Sequence, residues 1–99
     1  MVKWSVPAKR DLRQIYNYIS GDSKYYARQV VENIVDKSEM LEDFPELGRV
    51  VPEVDDPDVR ELFVYSYRLI YEVTQDCIMI LAVIHGKRDI SSFAADLKH

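Results

Sequence analysis

An α+β fold, with a helical hairpin packed on one face of a small antiparallel sheet, is what this sequence predicts. Apolar residues in its first half recur at helical spacing, and those of the second half alternate as they do in strands. Between the two lies a stretch, residues 45–58, that holds three of the four prolines and five acids. Helices gathered ahead of strands, rather than alternating with them, indicate segregated layers. The expected order is β-α-α-β-β-β, with room for a short C-terminal helix, in a single domain spanning residues 1–99.

Val2 to Ser5 reads as a short first strand. Pro7 suits the first turn of a helix, where a missing N–H costs nothing. Ala8, Leu12, Ile15, Tyr16 and Ile19 then form one stripe, leaving Lys9, Arg10 and Arg13 as a basic strip that is either a solvated face or a docking face. Gly21 is placed to end the helix as a left-handed glycine cap, and Asp22 or Ser23 to cap the next. The second stripe is Ala27, Val30, Val31, Ile34, Val35, Ser38 and Leu41, stopped by Phe44-Pro45 and Gly48. So short a break between two helices predicts an antiparallel hairpin.

The proline- and acid-rich stretch reads as a solvated loop, with Val50-Val51 paired at a sheet edge. Arg60 to Tyr65 alternates, and so does Tyr67 to Val73, with Tyr67, Leu69, Tyr71 and Val73 on one face and Arg68, Ile70 and Glu72 on the other. Gln75-Asp76 makes the hairpin turn into Cys77 to Ile84, which is apolar on both faces and so reads as a central strand. Asp89 is placed to cap a last helix carrying Phe93 and Leu97. The second face of the sheet is left to solvent, to the tail or to a partner.

Composition narrows the function. Net charge is −4, divided unevenly: residues 1–28 carry six Lys/Arg against two acids, residues 29–59 two against ten, and residues 60–99 five against five. A chain living on phosphate contacts shows a basic excess, and this one does not. The single cysteine, Cys77, allows no intrachain disulfide and no cysteine-built metal site, and reads as a small core residue. No metal and no cofactor is expected. The N-terminus lacks the apolar run of a signal peptide, and Cys77 to Ile84 is too short to span a bilayer, so the expected location is the cytoplasm, away from membranes.

Several short patterns occur in order: Ala8-x-x-Asp11-Leu12-x-x-Ile15-x-x-Tyr18-Ile19, Pro45-x-x-Gly48-Arg49, Arg60-Glu61-Leu62, Tyr67-Arg68-Leu69-Ile70-Tyr71, and Ile80-x-x-Val83-x-His85-Gly86-x-Arg88. Together they resemble the RelE/ParE toxin superfamily, and its ParE-like branch in particular, over residues 2–90. The resemblance implies a toxin of a type II toxin–antitoxin system, neutralised by a cognate antitoxin in a hetero-oligomer. ParE-like members poison DNA gyrase, whereas RelE-like members are metal-independent, ribosome-dependent mRNA endonucleases. A degenerate member would bind antitoxin without toxicity.

If the chain is a nuclease, the resemblance places Arg68 and His85 in the catalytic site; Glu53 is a weaker candidate for the base, should its loop fold over the sheet. RNA cleavage without metal needs a base for the 2′-OH, a cation for the phosphorane charge and an acid for the leaving oxygen, converging on one surface. Each residue has a plainer reading. Arg68 can pair across strands with Glu61 or Glu72, His85 can bond to backbone at a strand end, and Glu53 sits among Asp55, Asp56 and Asp58 in the acidic loop. Arg49, Arg60 and Arg88 are candidate anion- or antitoxin-binding groups, although Arg60 can equally pair with the acidic loop. Tyr65, Tyr67 and Tyr71 read as sheet residues able to stack bases if exposed. The acidic balance, and the lack of any tyrosine after Tyr71, favour the ParE-like reading over the nuclease.

Overall fold

Two helices lie on one face of a five-stranded sheet in the computed structural model, which describes residues 1–87. The order is β1 (Val2–Trp4), α1 (Val6–Ser20), α2 (Lys24–Met40), β2 (Arg49–Val50), β3 (Val59–Val64), β4 (Tyr67–Val73) and β5 (Ile78–His85). This is the predicted α+β class. The C-terminal helix expected from Asp89, and Arg88, lie outside the described residues.

The strands are ordered β1-β5-β4-β3-β2. Neighbours from β5 to β2 are antiparallel, as expected, but β1 runs parallel to β5, with Val2 opposite Ile78 and Trp4 opposite Ile80, so the sheet is mixed. Tight turns force antiparallel pairing only on the strands they join. The first strand feeds straight into α1 and meets the last strand across the whole domain, so no turn dictates its direction.

Ser5 caps α1 by accepting from the Ala8 N–H at 3.2 Å, and its hydroxyl donates to the Leu81 carbonyl at the same distance. Where β1 ends, α1 takes over the edge of β5: Asp11 accepts the Val83 N–H at 3.0 Å. That bond explains an acid on the inward side of an amphipathic helix. Gly21 departs from the expected left-handed cap, with φ −59°. The turn closes instead through the N–H groups of Asp22 and Ser23, which both donate to the Ile19 carbonyl at 3.0 Å, and Ser23 caps α2.

The main core lies between hairpin and sheet and includes Ala8, Ile15, Val30, Ile34, Leu41, Leu69, Tyr71, Ile80 and Val83. A second cluster fills the opposite face: Val51, Val54, Val59, Ile70, Ala82 and Ile84. The 45–58 stretch is thus not a solvated loop throughout. Val51 and Val54 are fully buried and cover the face that the sequence leaves open. A register shift in the β4–β5 pairing explains why β5 looks apolar on both sides. Ile70 pairs with Ala82 and Tyr71 with Ile80, so Leu81 is an extra residue that reverses the alternation. Cys77 is half-buried at the Thr74–Cys77 turn, where its N–H donates to the Thr74 hydroxyl at 3.0 Å, rather than in the core.

Tyr71 ties the loop to the sheet. Its buried hydroxyl donates to the Pro45 carbonyl at 2.8 Å and accepts the Gly48 N–H at 2.9 Å, and burial pushes its phenol pKa upward. Tyr71→Phe strips both groups of their partner and is expected to cost about 1–3 kcal/mol in chemical denaturation. A change within error would mean that water replaces the hydroxyl.

Candidate functional site

Arg68 is the most heavily engaged polar side chain of the described residues. Its strand neighbours direct it to the face away from the helices, where its side chain is only 5% exposed. Nε donates to Glu61 Oε1 at 2.6 Å, and Nη2 forms an ion pair with the same oxygen. The outer edge of the guanidinium grips Glu53, with Nη1 to Oε2 at 3.1 Å and Nη2 to Oε1 at 3.0 Å. Glu61 is wholly buried, and its second oxygen accepts Arg49 Nε at 2.5 Å. Arg49 comes from β2, and its guanidinium carbon sits 5.6 Å from the centre of the exposed Phe63 ring. The result is a chain of alternating charge, Glu53–Arg68–Glu61–Arg49, running from the covering loop across two strands to the sheet edge.

Of the two plainer readings of Arg68, pairing with Glu61 rather than Glu72 is the one present. Because the pair is buried, it does not behave as a weak surface contact. Arg68 hydrogen bonds hold the Glu53 carboxyl below its ordinary value of 4.5, against a smaller opposing push from burial. Burial works against the Arg68 charge, but Glu53 and Glu61 outweigh it and raise the guanidinium pKa. A carboxyl whose folded pKa is depressed adds stability at pH values above its unfolded pKa. That stability disappears as pH falls through the folded value. Wild-type protein should therefore lose more thermal stability than Glu53→Gln when pH drops from about 5 to 3. Parallel acid limbs for the two proteins would show that Glu53 carries none of this linkage.

His85 lies on the other face. Consecutive strand residues point to opposite sides, and the register pairs Tyr67 with His85 and Arg68 with Ile84. The imidazole stands edge-on to Tyr67, with ring centroids 6.1 Å apart, and its Nδ1 accepts the Lys87 N–H at 3.3 Å. It lines a groove of about 580 Å³ between the hairpin and the β3–β4 turn, with Tyr18, Tyr26, Tyr65 and Tyr67. Tyr65 occupies a left-handed backbone conformation, φ 55°, in that turn, and Asn33 of α2 donates to its hydroxyl. The sheet thus separates the candidates. Arg68, Glu53 and Arg49 gather on one face, His85 sits on the other, and Arg60 donates to the Gly48 carbonyl at 2.9 Å rather than to the acidic loop's carboxylates. Of the three tyrosines, Tyr71 is buried and only Tyr65 and Tyr67 reach the groove. No group of three or more His, Cys, Asp or Glu able to hold a metal occurs among the described residues.

The sequence alone hides two further features. Glu61 gives no outward sign of burial except its place in the alternation between Val59 and Phe63. Between the two helices and Trp4 of β1, Leu12, Tyr16, Val31 and Val35 line an apolar groove of about 470 Å³ together with Lys9 and Arg13. Neither cation, nor Arg10 beside them, enters any ion pair among the described residues. The signal was present in the basic strip, but only packing shows that an apolar floor lies next to it.

Comparison with known proteins gives one consistent picture. The family model described as "ParE toxin of type II toxin-antitoxin system, parDE" matches residues 2–90. A chain of the chromosomal ParDE toxin–antitoxin system from P. aeruginosa superposes with a TM-score of 0.71 at 26% identity, covering 85% of this chain and 92% of that one. A chain of the RelBE2 toxin–antitoxin complex from Mycobacterium tuberculosis gives 0.65 at 19% identity, covering 86% and 95%. The isolated E. coli RelE toxin gives 0.64 at 16% identity, covering 99% and 95%. The last two likenesses bear on fold alone. No curated protein sequence matches.

Proposed function

The chain belongs to the family of ParE toxins of type II toxin–antitoxin systems, and from that premise we propose that it arrests growth by acting on DNA gyrase, without cleaving RNA, until a cognate antitoxin neutralises it. One observation carries the choice between gyrase and RNA: Arg68 and His85 stand on opposite faces of the sheet. A nuclease needs its cation and its acid or base around one phosphate. Here the guanidinium is also occupied by two carboxylates. The net charge of −4 opposes docking on ribosomal RNA. A toxin that works by binding a protein needs none of these groups to converge. Its place of work on this reading is the cytoplasm.

The test is expression with and without the antitoxin, reading growth, ribosome-dependent mRNA cleavage and gyrase-linked DNA breaks. Growth arrest with breaks and no cleavage is expected. Cleavage would make the chain a RelE-like nuclease, and unimpaired growth would make it an antitoxin-binding homologue that has lost toxicity.

The antitoxin's docking place on this reading is the groove between the helices and Trp4. Its apolar floor suits the apolar stripe of an amphipathic segment, and Lys9 and Arg13 suit flanking acids. Lys9→Glu with Arg13→Glu should weaken antitoxin binding roughly tenfold or more, and more steeply at low salt. Unchanged affinity by calorimetry would move the antitoxin elsewhere. Among the candidate anion-binding arginines, Arg49 is exposed but lies on β2, at the sheet edge opposite the groove's Trp4, Arg60 is committed to the Gly48 carbonyl and Arg88 lies outside the described residues.

A further inference from the structure

A second surface carries the opposite charge. At the end of α2 and just past it, Met40, Phe44 and Leu47 are 41%, 59% and 47% exposed, three large apolar side chains within eight residues. They stand among Glu39, Glu42, Asp43 and Glu46. Glu42 pairs with the N-terminal amine, but no cation pairs with the other three among the described residues. Phe44, Leu47 and Val73 line a cleft of about 610 Å³ together with Asp43, Pro45 and Glu46.

Hydrogen bonds tie the segment's backbone down. Phe44 N–H donates to the Met40 carbonyl and Leu47 N–H to the Phe44 carbonyl, both at 3.0 Å. The Tyr71 hydroxyl clamps Pro45 and Gly48, and Arg60 takes the Gly48 carbonyl. Among the described residues, neither Phe44 nor Leu47 belongs to either core cluster. A scattered exposed apolar residue needs no explanation. Apolar anchors grouped on a preorganised loop, ringed by uncompensated charge, have the form of a protein-binding hot spot.

We infer that this acidic, apolar loop is the face that engages the toxin's target, docking Phe44 and Leu47 into an apolar pocket rimmed by lysine or arginine on a DNA-handling protein. The inference rests on the reading of the chain as a toxin directed at gyrase. Charge selects the occupant. A partner segment acidic enough for Lys9 and Arg13 is repelled by Asp43 and Glu46, so the two surfaces require partners of opposite sign. Proteins that grip DNA present basic surfaces to the phosphates. An acidic loop with apolar anchors can occupy such a surface, where a basic RNA-binding protein cannot. Neutralisation and toxicity then reside on separate faces.

The test compares wild-type protein with Phe44→Ser/Leu47→Ser and, separately, Asp43→Lys/Glu46→Lys. All four positions are solvent-exposed, and circular dichroism checks that each variant folds. Both variants should inhibit gyrase supercoiling at least tenfold less well and lose growth arrest, with antitoxin affinity within twofold of wild type. Inhibition and arrest equal to wild type would overturn the inference. So would a matching loss of antitoxin affinity, which would assign the loop to the antitoxin. If wild type arrests growth without touching gyrase and the loop variants do not arrest, the gyrase reading fails and the loop still faces the target. A wild-type chain that arrests nothing overturns both.

Discussion

Gly48→Ala is expected to lower stability by about 3–4 kcal/mol, a large share of the total for so small a domain. The reason is space. No glycine here has a positive φ, so glycine is not needed for backbone freedom. A Cβ at Gly48 would stand 2.8 Å from both the Glu61 carbonyl carbon and the Tyr71 Oη, and closer still to the Glu61 carbonyl oxygen. Neither neighbour can yield freely. The Glu61 backbone belongs to β3, paired to Arg49 on one side and Ile70 on the other, and the Tyr71 hydroxyl is committed to Pro45 and Gly48. Relief requires β2 to lift, which pulls Arg49 from Glu61 and loosens the loop over the second face. For a domain of this size the melting temperature should fall by ~15 °C or more. A fall of only a few degrees would show that β2 moves away at little cost. The same argument gives physical content to the Pro45-x-x-Gly48-Arg49 pattern: its carbonyl and its N–H meet Tyr71, its glycine allows the approach, and its arginine reaches Glu61.

How much of this was legible depends on the range of the interaction. Tyr67 to Val73 alternates without interruption, so both its limits and its faces can be read from the sequence. The hairpin stripes are similarly local, and Ala8, Ile15, Val30 and Ile34 do lie in the core. The strand after them misleads because one bulged residue, Leu81, reverses the phase and leaves apolar residues on both sides. The parallel pairing of β1 joins residues some 76 apart, as in Val2 with Ile78, and no local pattern encodes it. The covering of the second face depends on two valines, Val51 and Val54, set among acids that signal solvent.

The candidate site follows the same rule. Arg68 stands out in the sequence, and Glu61 can be named as a partner from strand pairing. That the pair is buried, however, depends on Glu53 arriving from the loop and Arg49 from β2. Separation of Arg68 from His85 is in principle readable, because β4 and β5 alternate, but it needs the register, and the bulge shifts that register. The two oppositely charged surfaces differ in a further way. Their charges are visible as the basic first 28 residues and the acidic middle, whereas the apolar floor of one and the hydrogen-bonded frame of the other come from packing.

Arg68→Ala is expected to cost about 3–5 kcal/mol, because it leaves a wholly buried Glu61 carboxylate with only the half of its partners that Arg49 supplies. Loss of toxicity in that variant would therefore say little about chemistry, since any buried charge left unpaired removes folded protein from the cell. The informative variant removes the charges together. Arg68→Met with Glu61→Leu replaces the pair by apolar side chains of similar volume, next to Ile70, Val59 and the covering Val51 and Val54. Such replacements are often neutral or stabilising where the single deletions are severe. Arg49 and Glu53, each with access to solvent, are then free to hydrate. The double variant should recover most of the stability lost in Arg68→Ala, measured by denaturant midpoint, and should still arrest growth. A folded double variant that no longer arrests growth would place Arg68 in the toxic mechanism itself. If it fails to fold as well, the charged network supplies a geometry that apolar packing cannot, and the second face of the sheet is held by ion pairing more than by its valines.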